Sequence, residues 1–219
     1  MAGKYKIATG DALCTNCVAG QYSVALGATS NVCQACQSDS YATEASDSQT
    51  DCTCNSGYTG DNGGSCNACV AGKYKIATGD ALCTNCVAGQ YSVTIAAISD
   101  VCQTCPANSG AAAASNNLMD CTCNAGWTGP DGKGPCVQCV AGKYKIATGD
   151  AACINCLAGQ YSTAVGAVSN VCQSCLPNSD TAEASDGQTD CTCNARFSGI
   201  SGGCVHCVLL ESLKQHDDL

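Results

Sequence analysis

Twenty-four cysteines in 219 residues constrain this chain more than any other feature. The density exceeds the roughly 8–10% at which a chain reads as a disulfide scaffold. The usual core formers are scarce: Leu, Ile, Val and Phe together number 32, with one Phe and one Trp. So little apolar surface does not offset the ordering entropy of a chain this long. The chain is therefore either disordered or stapled, and the even placement of its cysteines favours staples. In the chain-entropy model a bridge closing about 15 residues is worth roughly 3 kcal/mol, so a dozen such bridges replace the missing core. Disulfides at this density belong to an oxidising compartment, which places the protein outside the cell or at its surface. The opening MAGKYKIATG lacks the apolar segment of a signal peptide, as expected of a fragment or mature form of a secreted protein.

The cysteines also show a period. Cys14, Cys83 and Cys153 open equivalent sets of eight, ordered CxxC, CxxC, CxC, C, C. The segment AGKYKIATGDA is identical at 2–12, 71–81 and 141–151. Three repeats follow at 1–69, 70–139 and 140–207, with a C-terminal tail at 208–219. Inside each repeat lies a shorter theme, C-x-x-G-x-Y and then a further cysteine, as in CVAGKYKIATGDALC and CVAGQYSVALGATSNVC. Gly72 and Gly20 supply tight bends. The alternation in KYK suits a short strand with Tyr inward, its ring over the nearby bridge. A third segment, Cys36 to Cys52, lacks G-x-Y and reads as a polar loop. A fourth, CTCNSGYTGDNGGSC and its counterparts, places Tyr58, Trp127 or Phe197 at one position. In its last copy Arg196 replaces glycine, which implies a looser bend. The expected fold class is a small disulfide-rich one, mostly short β-hairpins and turns with little helix. Ala111 to Ser115 has room for one helical turn.

Net charge is −9 with nine basic residues, so no basic patch exists for nucleic acid. No run of 18 apolar residues exists to enter a membrane. His206 and His216 are the only histidines, both near the C-terminus, and they assemble no Ser/His/Asp or Cys/His constellation. Asp11, Asp80 and Asp150 recur as single charges in TGDA turns. Enzymatic activity and cofactors are accordingly not expected. Zinc is the strongest rival to disulfides, because Cys14-x2-Cys17-x15-Cys33-x2-Cys36 fits a four-cysteine spacing. No N-x-S/T sequon occurs; the hydroxyls near Thr43–Thr50 and Thr181–Thr189 offer sites for O-linked glycans. The ending HDDL differs from the retrieval signal H-D-E-L in its third residue.

The C-x-C-x-x-G-aromatic-x-G unit resembles the C-terminal half of an EGF-like domain. The C-x-x-G-x-Y units resemble modules of tumour-necrosis-factor-receptor cysteine-rich domains, and more closely the ephrin-receptor-like and GCC-type repeats of large secreted and surface proteins. The resemblance implies Cys17–Cys33, Cys69–Cys83, Cys86–Cys102, Cys139–Cys153 and Cys156–Cys172. Its EGF-like half implies Cys54–Cys66, Cys123–Cys136 and Cys193–Cys204. Cys36–Cys52, Cys105–Cys121 and Cys175–Cys191 then complete a ladder, although spacing alone leaves many other pairings open. A ladder of neighbour contacts implies an elongated rod.

That ladder leaves Cys14 and Cys207 over. Cys14 ends the segment that begins with Cys69 and Cys139 in the other copies, and Cys207 aligns with those first cysteines. Subunits joined head to tail through Cys207 and Cys14 are one reading, which gives an open filament. A chain cut from a longer array of the same repeats is another, and an alternative pairing is a third. Near-identical repeats point to a structural protein of a fibre, surface appendage or matrix, with other surface proteins or glycans as further partners. The alternative is a receptor or adhesion ectodomain that binds a protein ligand, with Trp127 and PANSGAAAASNNLMD in the second repeat as its distinctive patch.

Overall fold

The structure, a computed structural model, describes residues 1–132, 134–200 and 202–207. The expected tail at 208–219, with His216 and the HDDL ending, lies outside the described residues. The fold is a small disulfide-rich one of antiparallel two-residue strand pairs, and no α-helix occurs among the described residues. Lys73–Tyr74 pairs with Thr84–Asn85, for example, and Trp127–Thr128 with Val137–Gln138. The packing falls into two compact units. One comprises Met1–Cys105 with Gly110–Cys121; the other comprises Pro106–Ser109 and the described residues from Thr122 onward.

Each strand pair begins from one local device. Lys73 N–H donates to Val70 O at 3.2 Å, and Gly72 between them has φ +82°. A positive φ at the third residue is what a type II turn requires, which is why the motif reads C-V-A-G-K. The third segment of each repeat uses the same bend without glycine. Asp39, Asn108 and Asn178 take φ of 60°, 62° and 66° there, since short polar side chains tolerate the left-handed region best after glycine. The expected polar loop is therefore a further hairpin, Ser40–Tyr41 against Thr53–Cys54 in the first repeat. Arg196 also departs from expectation. Its φ of 75° matches the 80° of Gly57 and 78° of Gly126, so the bend is kept, at about 1–2 kcal/mol of steric cost, rather than loosened.

Eleven disulfides run along the chain without crossing. In the first unit they are Cys17–Cys33, Cys36–Cys52, Cys54–Cys66, Cys69–Cys83, Cys86–Cys102 and Cys105–Cys121. In the second they are Cys123–Cys136, Cys139–Cys153, Cys156–Cys172, Cys175–Cys191 and Cys193–Cys204. Among the described residues, the buried apolar side chains are cysteines and alanines alone. Large aliphatics such as Leu13, Leu82 and Ile200 lie outside. The core is thus sulfur and small side chains, which suits a chain short of Leu and Ile.

The one-turn helices also sit elsewhere than expected. They are 3-10 turns at Gln49–Asp51, Leu118–Asp120 and Gln188–Asp190, whereas Ala111–Ser115 is a turn in which Ala114 is left-handed at φ 63°.

Candidate functional site at the repeat junction

The residues that recur between repeats collect where one repeat meets the next, and their contacts explain the recurring AGKYKIATGDA. In KYK the inward residue is the second lysine, not the tyrosine. Lys75 is 3% exposed, while Tyr74 is half-buried. The Lys75 ammonium donates to Tyr58 O at 2.6 Å and to Gly79 O. A buried ammonium is tolerable because carbonyls take its protons. Burial lowers the Lys75 pKa below 10.5, opposed by the charge of Asp80.

The rest of the segment closes on the preceding hairpin. Gly57 N–H donates to Lys75 O at 2.8 Å, and Gly79 N–H to Cys54 O at 2.8 Å. Ser56 Oγ reaches Ile76 O at 2.6 Å, and Thr59 Oγ1 reaches Ala81 O at 3.1 Å. Ala96 N–H donates to Cys69 O at 2.8 Å. The junction in the second unit repeats the scheme almost bond for bond. Lys145, 2% exposed, donates to Trp127 O at 2.7 Å and to Gly149 O. Gly126 N–H donates to Lys145 O at 2.9 Å, Gly149 N–H to Cys123 O at 2.8 Å and Gly166 N–H to Cys139 O at 2.7 Å. Thr128 Oγ1 reaches Ala151 O at 3.2 Å. Sequence reasoning saw the identity of the copies but not the buried lysine. The available signal was a lysine in every copy, three residues after the turn glycine and four before the next.

Close approach fixes the glycines of this junction. A Cβ on Gly57 would run into the Ala96 carbonyl, and one on Gly126 into the Gly166 carbonyl. The tyrosines of the neighbouring hairpins end on glutamine instead of lying at the junction: Tyr22 Oη donates to Gln34 Oε1 at 3.0 Å and Tyr91 Oη to Gln103 Oε1 at 2.9 Å.

The same parts recur in open form around Lys6 and around Cys207. Lys6 is only half-buried and its ammonium donates to Gly10 O. Beside it lies an open groove of about 500 Å³, lined by Lys4 to Gly10, Cys14 and Gly27 to Thr29. In the other unit, Cys207 N–H donates to Arg196 O at 2.8 Å, as Cys139 N–H does to Gly126 O. Cys14 and Cys207 are free and exposed.

The four-cysteine zinc spacing does not converge, because Cys17 and Cys33 are joined to each other and Cys36 to Cys52. Among the described residues no three metal-capable side chains meet. His206 packs edge-on against Phe197, ring centroids 5.2 Å apart.

Residues 126–171 match the family model described as Tyrosine-protein kinase ephrin type A/B receptor-like. The match begins at Gly126 and takes in Lys145 with both of its acceptors, Trp127 O and Gly149 O. No curated protein matches the chain. Residues 126–171 are thus an ephrin-receptor-like cysteine-rich module set in a tandem ladder of eleven disulfides, and the chain that carries them is an extracellular or cell-surface repeat protein.

Proposed function

We propose that the protein is a non-enzymatic structural repeat protein, a subunit of a fibre, surface appendage or matrix. The observation that carries this reading is the sameness of the two internal junctions, Lys75 on Tyr58 O and Gly79 O, Lys145 on Trp127 O and Gly149 O. Equal joints give equal spacing, which a scaffold needs and a single binding pocket does not. A receptor or adhesion ectodomain is the second reading. It draws on Met119, exposed in the 3-10 turn of the second repeat where the other repeats carry Thr50 and Thr189.

Immunogold labelling of native extracellular material with an antibody against the chain tests the choice. Regularly spaced label along fibres or matrix strands is the expected result. Label dispersed singly over cell surfaces, lost when Met119→Thr replaces the native chain, overturns it in favour of the receptor.

A further inference from the structure

We infer that the groove beside Lys6 seats the Cys193–Cys207 hairpin of a second copy, with a disulfide between Cys14 of one molecule and Cys207 of the other. The inference rests on the structural reading above and supplies its joint. The internal junctions show what such a seat holds. Where Lys75 and Lys145 each bridge two carbonyls, Lys6 reaches Gly10 O alone among the described residues. Gly79 and Ala96 donate to Cys54 O and Cys69 O; their counterparts Gly10 and Gly27 have no acceptor for N–H among the described residues. The hairpin at the other end carries the matching groups in the matching places. Phe197 O stands where Tyr58 O and Trp127 O stand, Cys193 O where Cys54 O stands and Cys207 where Cys69 stands. Cys14 occupies the place of Cys83, which bonds Cys69. Groove and hairpin are therefore the two halves of an interface that the chain already builds twice.

One residue resists. Arg196 stands where Gly57 and Gly126 stand, and a Cβ there meets the facing carbonyl. The seated hairpin must stand off Gly27 slightly, so this joint is looser than the internal ones and the covalent bond holds it. Closing that bond joins Cys207 Sγ to Cys14 Sγ. The two thiols give up two protons and two electrons to a low-molecular-weight disulfide, which leaves as two thiols.

The test incubates the purified full chain at rising concentration in a glutathione redox buffer, alkylates it and resolves it by non-reducing electrophoresis and intact mass. The expected result is a series of dimers and longer multimers that yield one bridged peptide, Cys14 with Cys207. Arg196→Gly should raise multimer yield about five-fold, and Lys6→Met should lower it by a similar factor, as differences of about 1 kcal/mol in the seat would. Monomers with both thiols alkylated at every concentration, in the native chain and in Arg196→Gly alike, overturn the joint. So do Cys14–Cys14 and Cys207–Cys207 bridges formed in statistical proportion, or an internal Cys14–Cys207 bridge. Labelled fibres in the native material without multimers in this assay sink the joint and leave the structural reading standing; multimers without labelled fibres do the reverse.

Discussion

Gly72 and Gly89 share one backbone conformation, φ +82° and +83°, but not one environment. A Cβ on Gly72 would overlap the Ala114 carbonyl, whereas one on Gly89 would meet nothing within 4 Å. Gly89→Ala should therefore cost only the left-handed penalty, about 1 kcal/mol, while Gly72→Ala should cost about 2–4 kcal/mol because the backbone must also move. Denaturant unfolding with the disulfides intact, monitored on both variants, checks the difference; equal losses would mean that the contact with Ala114 does not matter. The glycines of C-x-x-G-x-Y were legible from the sequence as bends. The same bend at Asp39, Asn108 and Asn178 was not, because a motif written for glycine passes over the other residues that reach positive φ. The second left-handed series, at Ala45, Ala96, Ala114 and Ala184, was harder to read: glycine marks it only at Gly27 and Gly166, the counterparts of Ala96, and alanine carries no turn signal of its own.

At the scale of elements, two short devices do what long strands do elsewhere. The first is the 3-10 turn. Asp120 Oδ2 accepts from Asn116 N–H and Asn117 N–H, both at 3.0 Å, and Asn117 Oδ1 accepts from Met119 N–H at 2.9 Å. Asp120→Ala removes two of these bonds and should destabilise the second repeat by about 1 kcal/mol, read from the same unfolding curves. The S/N-x-x-D pattern in SDSQTD and SNNLMD carried this signal as a capping box, but polar composition alone reads only as a loop. The second device is the buried lysine. Lys75→Met leaves Tyr58 O and Gly79 O without their donor and should cost about 2–3 kcal/mol. Its pH dependence has a definite sign. Burial lowers the folded-state pKa of Lys75 below the 10.5 of the unfolded chain. The folded state thus sheds this proton first, and the lysine's contribution to stability increases as pH rises through that lowered value toward 10.5. The stability gap between native chain and Lys75→Met should widen over that range in unfolding titrations; a gap that narrows would contradict burial as the dominant cause.

For the whole molecule, the decisive property is that no disulfide spans another. Each joins cysteines 11 to 16 positions apart, a loop length worth about 3 kcal/mol in the chain-entropy model. Replacing Cys86 and Cys102 by serine should therefore open one hairpin and spare the rest. Limited proteolysis followed by mass analysis should find new cuts between 86 and 115 only, and cuts spread over several repeats would indicate that the bridges act together. Spacing alone could not reveal this pairing, since sulfur chemistry permits many ladders; the family resemblance implied it through a shared arrangement of turns. The elongated rod implied with it concerns whole-chain shape, which local bridges do not determine. The non-crossing ladder also has a mechanical meaning. Tension that enters at Cys17 passes to Cys33 through one covalent step, and three residues later reaches Cys36 and the next step. The hairpins hang off the load path, so pulling cannot unravel them and the chain has almost no slack. Reduction returns each loop to that path. A change in redox conditions would thereby pay out length, lengthening the covalent path without cutting a single peptide bond.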